Sequence, residues 1–152
     1  MTEATWAGPR GPTRILVAID GSAPSEVAVG LVADLPWPPG TAIRVVEAID
    51  LGPGIIGGPW PTFGLAQSDE LETSVRGEAR HEVEDARKRL AARGWDATAV
   101  VETGRPATII VEEAEAMAAD LVVIGSRGHG IIASMLLGSV SAVLGVLYAL
   151  GE

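Results

Sequence analysis

One stretch limits the architecture of this chain more than any other: Leu121-Val-Val-Ile-Gly125-Ser-Arg-Gly128-His-Gly-Ile-Ile-Ala-Ser-Met-Leu-Leu-Gly138-Ser139. It opens as an apolar, β-branched run without polar alternation, the pattern of a parallel strand buried on both faces. The run ends at a glycine, a second glycine follows three residues later, and a Gly-Ser pair that reads as the start of a helix comes ten after that. Glycines let a ligand approach the backbone with no Cβ in the way. The first turn of a helix offers unpaired N–H groups and a partial positive charge, which suit a phosphate. The segment is therefore a candidate anion cradle built mostly from main chain. The competing reading is a glycine-rich connection that holds nothing, because 19 glycines among 152 residues generate such spacings by accident.

Two further glycine patterns fail on context. Gly128-His-Gly130-Ile-Ile-Ala133 fits the dinucleotide fingerprint, but Glu152 is reached before the required strand and acidic residue could follow. Gly52-Pro-Gly54-Ile-Ile-Gly57 follows a strand-like run, yet Gly58-Pro-Trp-Pro61 comes next and no helix starts cleanly there. A Walker loop needs Gly-Lys-[Ser/Thr], and the one lysine, Lys88, lies in a charged helical segment.

At 152 residues and 47% hydrophobic content, the chain has the size and composition of one globular domain with a real core. Residues 1–12 read as a loose leader with no signal-peptide pattern, and 13–152 as the single domain. There are no cysteines, which removes thiolate metal sites and a Cys nucleophile and fits a reducing compartment, expected to be the cytoplasm. A net charge of −9 argues against a nucleic-acid binder. Arg105, Arg127 and His129 are the cations near the candidate cradle.

The elements alternate. Arg14–Ile19 reads as a buried strand and Asp20-Gly-Ser22 as a turn. Ser22 is positioned to cap a helix whose expected inner stripe is Val27, Leu31, Val32 and Leu35. Ala42–Ile49 is a second strand, and residues 50–67 form a long Gly/Pro-rich loop carrying Trp60 and Phe63. Residues 68–93 form the longest helix, with Ser68, Leu71, Val75, Ala79, Val83, Ala86 and Leu90 inward and Glu78, Glu82 and Asp85 on the solvated side. A third strand covers 96–102, a helix opens at Pro106, the fourth strand follows Asp120, and a last helix is expected over about 139–150. This β-α-β-α-β-α-β-α order points to an open parallel α/β sheet with helices on both faces, four strands being clear. Ligands in such sheets sit at the carboxyl ends of the strands where the strand order switches.

Taken together, these residues resemble the universal stress protein family over about 13–143. The resemblance rests on Ile15-Leu-Val-Ala-Ile-Asp20-Gly-Ser, on Gly104-Arg-Pro106-Ala-Thr-Ile-Ile-Val, and on Ala119-Asp-Leu-Val-Val-Ile-Gly125-Ser-Arg-Gly128-His-Gly with Gly138-Ser139-Val-Ser141. It implies a Rossmann-like domain and a regulatory protein of the bacterial stress response that binds ATP or AMP, with or without Mg²⁺. Carried over residue by residue, Ala18, Ile19 and Asp20 would meet the adenine or ribose. Ala48 would pack on the base and Gly125 would approach the ribose. Ser126, Arg127, Gly128, Gly138, Ser139, Val140 and Ser141 would hold the phosphates. The resemblance also implies a fifth strand that often makes a dimer contact. Reading 141–152 as the end of a helix leaves that strand missing, one sheet edge bare, and the mode of self-association open.

Plainer roles compete for single residues. Asp20 could be only a turn former, His129 and Arg127 solvated loop residues, and Trp60 and Phe63 core cover instead of a lid. His81 reads as a surface residue. Ile131–Leu150 is 20 residues without a charge, long enough for a membrane span, but its serines and glycines favour a loop plus a buried helix. Asp20 and Asp50 could hold Mg²⁺ through water, yet nothing marks a general base. No catalytic or metal-ligating residues are assigned, and hydrolysis is expected to be slow or absent. A nucleotide-free interaction scaffold and a weak ATPase are the alternatives.

Overall fold

A computed structural model describes residues 13–51, 64–125 and 145–149. Its elements are β1 (Arg14–Ile19), α1 (Ala23–Asp34), β2 (Ala42–Ile49), α2 (Gly64–Ala92), β3 (Asp96–Thr103), α3 (Pro106–Ala116), β4 (Leu121–Gly125) and β5 (Gly145–Ala149). All strand pairings are parallel, and the sheet order is β3-β2-β1-β4-β5. The chain steps outward from β1 to β2 to β3, then returns to the other side of β1. The switch in order therefore lies between β1 and β4, and a crevice opens at their carboxyl ends.

Continuous apolar runs form β1 and β4 because both faces of these strands are covered. Ile15, Val17, Ile19, Ile43, Val45 and Val123 point into one layer with α1 and α2, where Ala28, Val29, Val32, Val83, Ala86 and Leu90 meet them. Leu16, Ala18, Val46, Val122 and Ile124 point into the other layer, against Ile109, Ile110 and Ala114 of α3. At the amino ends of the strands, Asp120 Oδ2 accepts the N–H groups of Thr13 and Arg14, each at 2.9 Å. Partial burial opposes the charge on Asp120, but those bonds and the Thr13 hydroxyl hold its carboxyl below the usual range.

Several sequence expectations need correction. The last helix is not continuous over 139–150: Gly145–Ala149 is a strand, paired in register with Leu121–Gly125. The fifth strand is thus present, and β4 is not a bare edge. A short charge-free run cannot be told from a buried helix by periodicity, and here a neighbouring strand offers a full set of backbone partners. The same pairing removes Ile131–Leu150 as an uninterrupted span; among the described residues no helix is long and apolar enough to cross a membrane. In α1 the inner face is Ser25, Ala28, Val29, Val32 and Ala33, while Val27 is 56% and Leu31 37% exposed. Small residues, Ser25 and Ala28, hold the inner face where α1 comes closest to the sheet, at Gly125. Leu71 is likewise exposed and Glu82 is half-buried, the reverse of their expected faces. Helix α2 starts at Gly64, inside the stretch read as loop. The helix at Pro106 stands as expected, and the third strand, expected over 96–102, runs one residue further, to Thr103.

Trp37 and Trp95, without a role in the sequence, pack against the α1/α2 layer. Their indole N–H groups donate to the carbonyls of Val32 (2.7 Å) and Ala33 (3.1 Å) in the last turns of α1.

The other end of α1 sets the tightest contact. A Cβ on Gly125 would lie 2.6 Å from the Pro24 carbonyl oxygen, 2.6 Å from Ser25 Cα and 2.8 Å from Ala28 Cβ. Two of those atoms are backbone, so the clash could be relieved only by moving the helix. Gly125→Ala is expected to lower the unfolding free energy by about 2 kcal/mol, the scale of core overpacking, as read by urea denaturation. An unchanged midpoint would mean that α1 can yield there at no cost.

Candidate functional site

The crevice at the switch point is an open cleft of about 320 Å³, part of it shared with solvent. Ala18, Ile19 and Asp20 form its β1 wall, Val46 and Ala48 the β2 wall, and Ile124 and Gly125 the β4 wall; Pro106 and Ile110 of α3 close one side. The arrangement follows from strand period: Ala18, Val46, Ala48 and Ile124 share the α3 face of the sheet, so their side chains converge. Ile19 belongs to the opposite layer, yet it also borders the cleft. The first turns of α1 and α3 both start at this end, and their dipoles add a positive field.

All five residues placed by sequence at the strand ends, Ala18, Ile19, Asp20, Ala48 and Gly125, are thus brought together. Val46, Ile110 and Ile124 were missed, although Val46 precedes Ala48 by two positions and Ile110 follows Pro106 by four, spacings that put each pair on one face. Gly125 carries a second role that the sequence hid: its missing side chain makes room for α1. Ser126, Arg127, Gly128, His129, Gly138, Ser139, Val140 and Ser141 lie outside the described residues, as do Trp60 and Phe63. Arg105 is exposed at the start of α3, next to Pro106 in the cleft wall.

Polar groups gather at one point of the apolar cleft. Asp20 Oδ1 accepts the Ser22 N–H at 3.0 Å and the Ser22 hydroxyl, forming an Asx-type turn. Ser22 therefore occupies the N-cap position of α1 without capping it; its hydroxyl turns back to Asp20. The Asp20 N–H donates to Ser25 Oγ at 2.8 Å, and Ser25 Oγ lies 2.7 Å from both Asp20 Oδ1 and the Gly125 carbonyl oxygen. Gly21 has φ +74°, which suits glycine, and a Cβ there would land on the Glu82 carboxylate.

Beneath that turn, in the α1/α2 layer, Glu47 of β2 meets Glu82 of α2. Burial, then the neighbouring Glu82 charge and a proton shared with it, and then Asp20, push the Glu47 carboxyl up to about 8. Its Oε2 is buried and has no hydrogen-bond partner among the described residues. Two facing carboxyls need one proton between them, so near neutral pH the pair carries less charge than its composition suggests. Among the described residues, no group of three or more His, Cys, Asp or Glu is arranged to hold a metal ion.

A carboxyl raised from 4.5 to about 8 favours the protonated fold. Its contribution is complete below the ordinary value and is lost as pH rises towards about 8. Thermal unfolding midpoints are therefore expected to fall between pH 5 and pH 8 in the native chain and to fall less in Glu47→Gln, which should be the more stable of the two at pH 8. Parallel slopes for the two proteins would show that Glu47 and Glu82 do not share a proton.

Comparison with known proteins places this geometry. The family profile described as Universal stress protein family matches residues 12–144. The chain is 30% identical over 132 residues to the universal stress protein YxiE of Bacillus subtilis, covering 84% of this chain and 88% of that one. It is 33% identical over 128 residues to a universal stress protein of Thermus aquaticus, covering 84% and 86%. Among solved structures, the protein MJ0577 superposes with a TM-score of 0.75 at 20% identity, over 92% of this chain and 98% of that one. An Arabidopsis thaliana universal stress protein with AMP bound gives 0.63 at 16% identity, over 92% and 94%. The Archaeoglobus fulgidus universal stress protein in complex with dAMP gives 0.64 at 19%, over 90% and 96%. At these identities the structural likeness is one of fold, while the family profile spans most of the sequence. The chain belongs to the universal stress protein family.

Proposed function

We propose that the cleft binds an adenine nucleotide, AMP or ATP, and that the protein acts as a nucleotide-responsive regulatory module of the stress response. The observation that carries this reading is the position of the cleft: its apolar walls and single acidic corner lie at the switch point, and the chain leaves it at Gly125 directly into Ser126-Arg127-Gly128. Ala18, Val46, Ala48, Ile110 and Ile124 offer flat aliphatic surface to a base, and Asp20 is an acceptor for a hydroxyl or amino donor. The G-x-x-G-x9-G-[ST] pattern supplies main-chain amides and hydroxyls for phosphate through Ser126, Gly128, Gly138, Ser139, Val140 and Ser141, and Arg127 supplies a guanidinium. The AMP and dAMP held by two proteins of the same fold support the choice of an adenine base.

Asp20 is the carboxylate in the cleft wall, and its Oδ1 already takes donors from Ser22 and Ser25. Mg²⁺ would therefore arrive with the phosphates of ATP instead of occupying a preformed protein site. Among the described residues of the cleft the candidate base is Asp20, whose Oδ1 already accepts bonds from Ser22 and Ser25, so binding with slow or absent hydrolysis fits better than turnover. Self-association belongs to the same reading, with β3 and β5, the strands at the two sheet edges, as its seams.

Calorimetric titration with AMP, and with ATP in the presence and absence of Mg²⁺, is expected to give dissociation constants well below about 1 mM. Gly128→Val with Gly138→Val should abolish that heat while leaving the thermal unfolding midpoint near the native value. No binding by the native chain would favour a nucleotide-free scaffold, and phosphate release at the rate of a working enzyme would favour an ATPase.

A further inference from the structure

Ser25 is 3% exposed, one of two buried polar side chains among the described residues. The other, Thr41, bonds locally to the Pro38 carbonyl. Ser25 reaches much further: its Oγ touches the main chain and carboxylate of Asp20 at the end of β1, and the carbonyl of Gly125 at the end of β4, 100 residues away. These are the two strand ends that flank the switch point, and both line the cleft.

The chemistry of that oxygen is limiting. A serine hydroxyl has one proton to give and two lone pairs. The Asp20 N–H uses one lone pair, while the Asp20 carboxylate and the Gly125 carbonyl, each 2.7 Å away, compete for the single proton. Ser25 Cα lies 2.6 Å from where a Gly125 Cβ would be, so the missing side chain is what lets α1 come close enough for the bridge. A donor from a ligand that satisfies the Asp20 carboxylate weakens its claim on the Ser25 proton and hands that proton to Gly125. The Gly125 carbonyl belongs to the peptide that leads into Ser126, the start of the glycine-patterned segment.

We propose that Ser25 is the positioning residue of the cleft: it sets the Asp20 carboxylate and couples ligand contact there, through one shared proton, to the peptide that leaves β4. The proposal rests on the nucleotide reading above and adds a residue that touches no ligand. It makes α1, through one buried hydroxyl, part of the recognition apparatus. It also predicts that Ser25 acts on affinity only through Asp20.

The test is a double-mutant cycle with AMP as the probe, read by calorimetry on the full chain, each variant accompanied by its thermal unfolding midpoint. Ser25→Ala is expected to weaken AMP binding about tenfold, the scale of one lost hydrogen bond to a charged group. Asp20→Asn should weaken it as well. The pair Ser25→Ala with Asp20→Asn should bind within about twofold of Asp20→Asn alone, because a residue that works through another has nothing left to position. Ser25→Cys fills the same space with a weak donor and should behave as Ser25→Ala does. It also carries the comparison if truncation to alanine lowers the unfolding midpoint. Losses that multiply in the double variant would overturn the proposal, as would native affinity in either Ser25 variant. Those outcomes leave native AMP binding intact, whereas absence of binding by the native chain removes the nucleotide reading and this proposal together.

Discussion

The close seat of α1 on the carboxyl end of β4 is the constraint from which the rest of the cleft follows. It exists because Gly125 offers no side chain and because α1 turns small residues, Ser25, Ala28 and Ala33, towards the sheet. A larger residue at Gly125 would push the helix outward and take Ser25 away from Asp20. Packing and polar geometry are thus one problem here. Interiors are close-packed, so a displacement at a contact of this kind cannot be absorbed locally. The aliphatic walls of the cleft belong to the opposite layer and depend on α3, so the two faces of the sheet contribute different things: one shape, the other polar order.

Electrostatics are arranged around the same turn. Asp20, Glu47 and Glu82 converge near the carboxyl ends of β1 and β2, an expensive grouping in a protein of net charge −9. The cost is reduced by sharing a proton beneath the turn and by giving Asp20 the N–H and hydroxyl of Ser22 together with the Ser25 hydroxyl above it. The acidic corner of the apolar cleft thus stands at the point where two helix N-termini converge.

Much of this was legible in the sequence, and the failures have physical causes. Unbroken β-branched runs gave away β1 and β4, because a strand buried on both faces has no polar alternation to blur it. The order of elements alone places Asp20, Ala48 and Gly125 at one end of the sheet, and the family resemblance adds Ala18. Residues 145–149 are ambiguous in the sequence because Val, Leu, Tyr and Ala in a charge-free run satisfy both a helix and a strand, and only the partner β4 decides. The face of α1 is only partly legible: Val32 lies inward as its spacing predicts, whereas the bulk of Val27 and Leu31 does not bury them. Val29 and Val32 share the inward face with Ser25, Ala28 and Ala33, and Val27 and Leu31 are left outside. Glu82 looked like a solvated helix residue because its partner Glu47 lies 35 positions away in another element, and no local pattern encodes that meeting.

Helix α1 is gripped at both ends. Its first turn is bonded across the sheet through Ser25, and its last turns hold the indole N–H groups of Trp37 and Trp95 on two successive carbonyls. Twelve residues of helix make a rod about 18 Å long. A rod held so ties the polar corner of the cleft to the indole contacts at its other end, and the seat of α1 on the sheet is fixed from both directions.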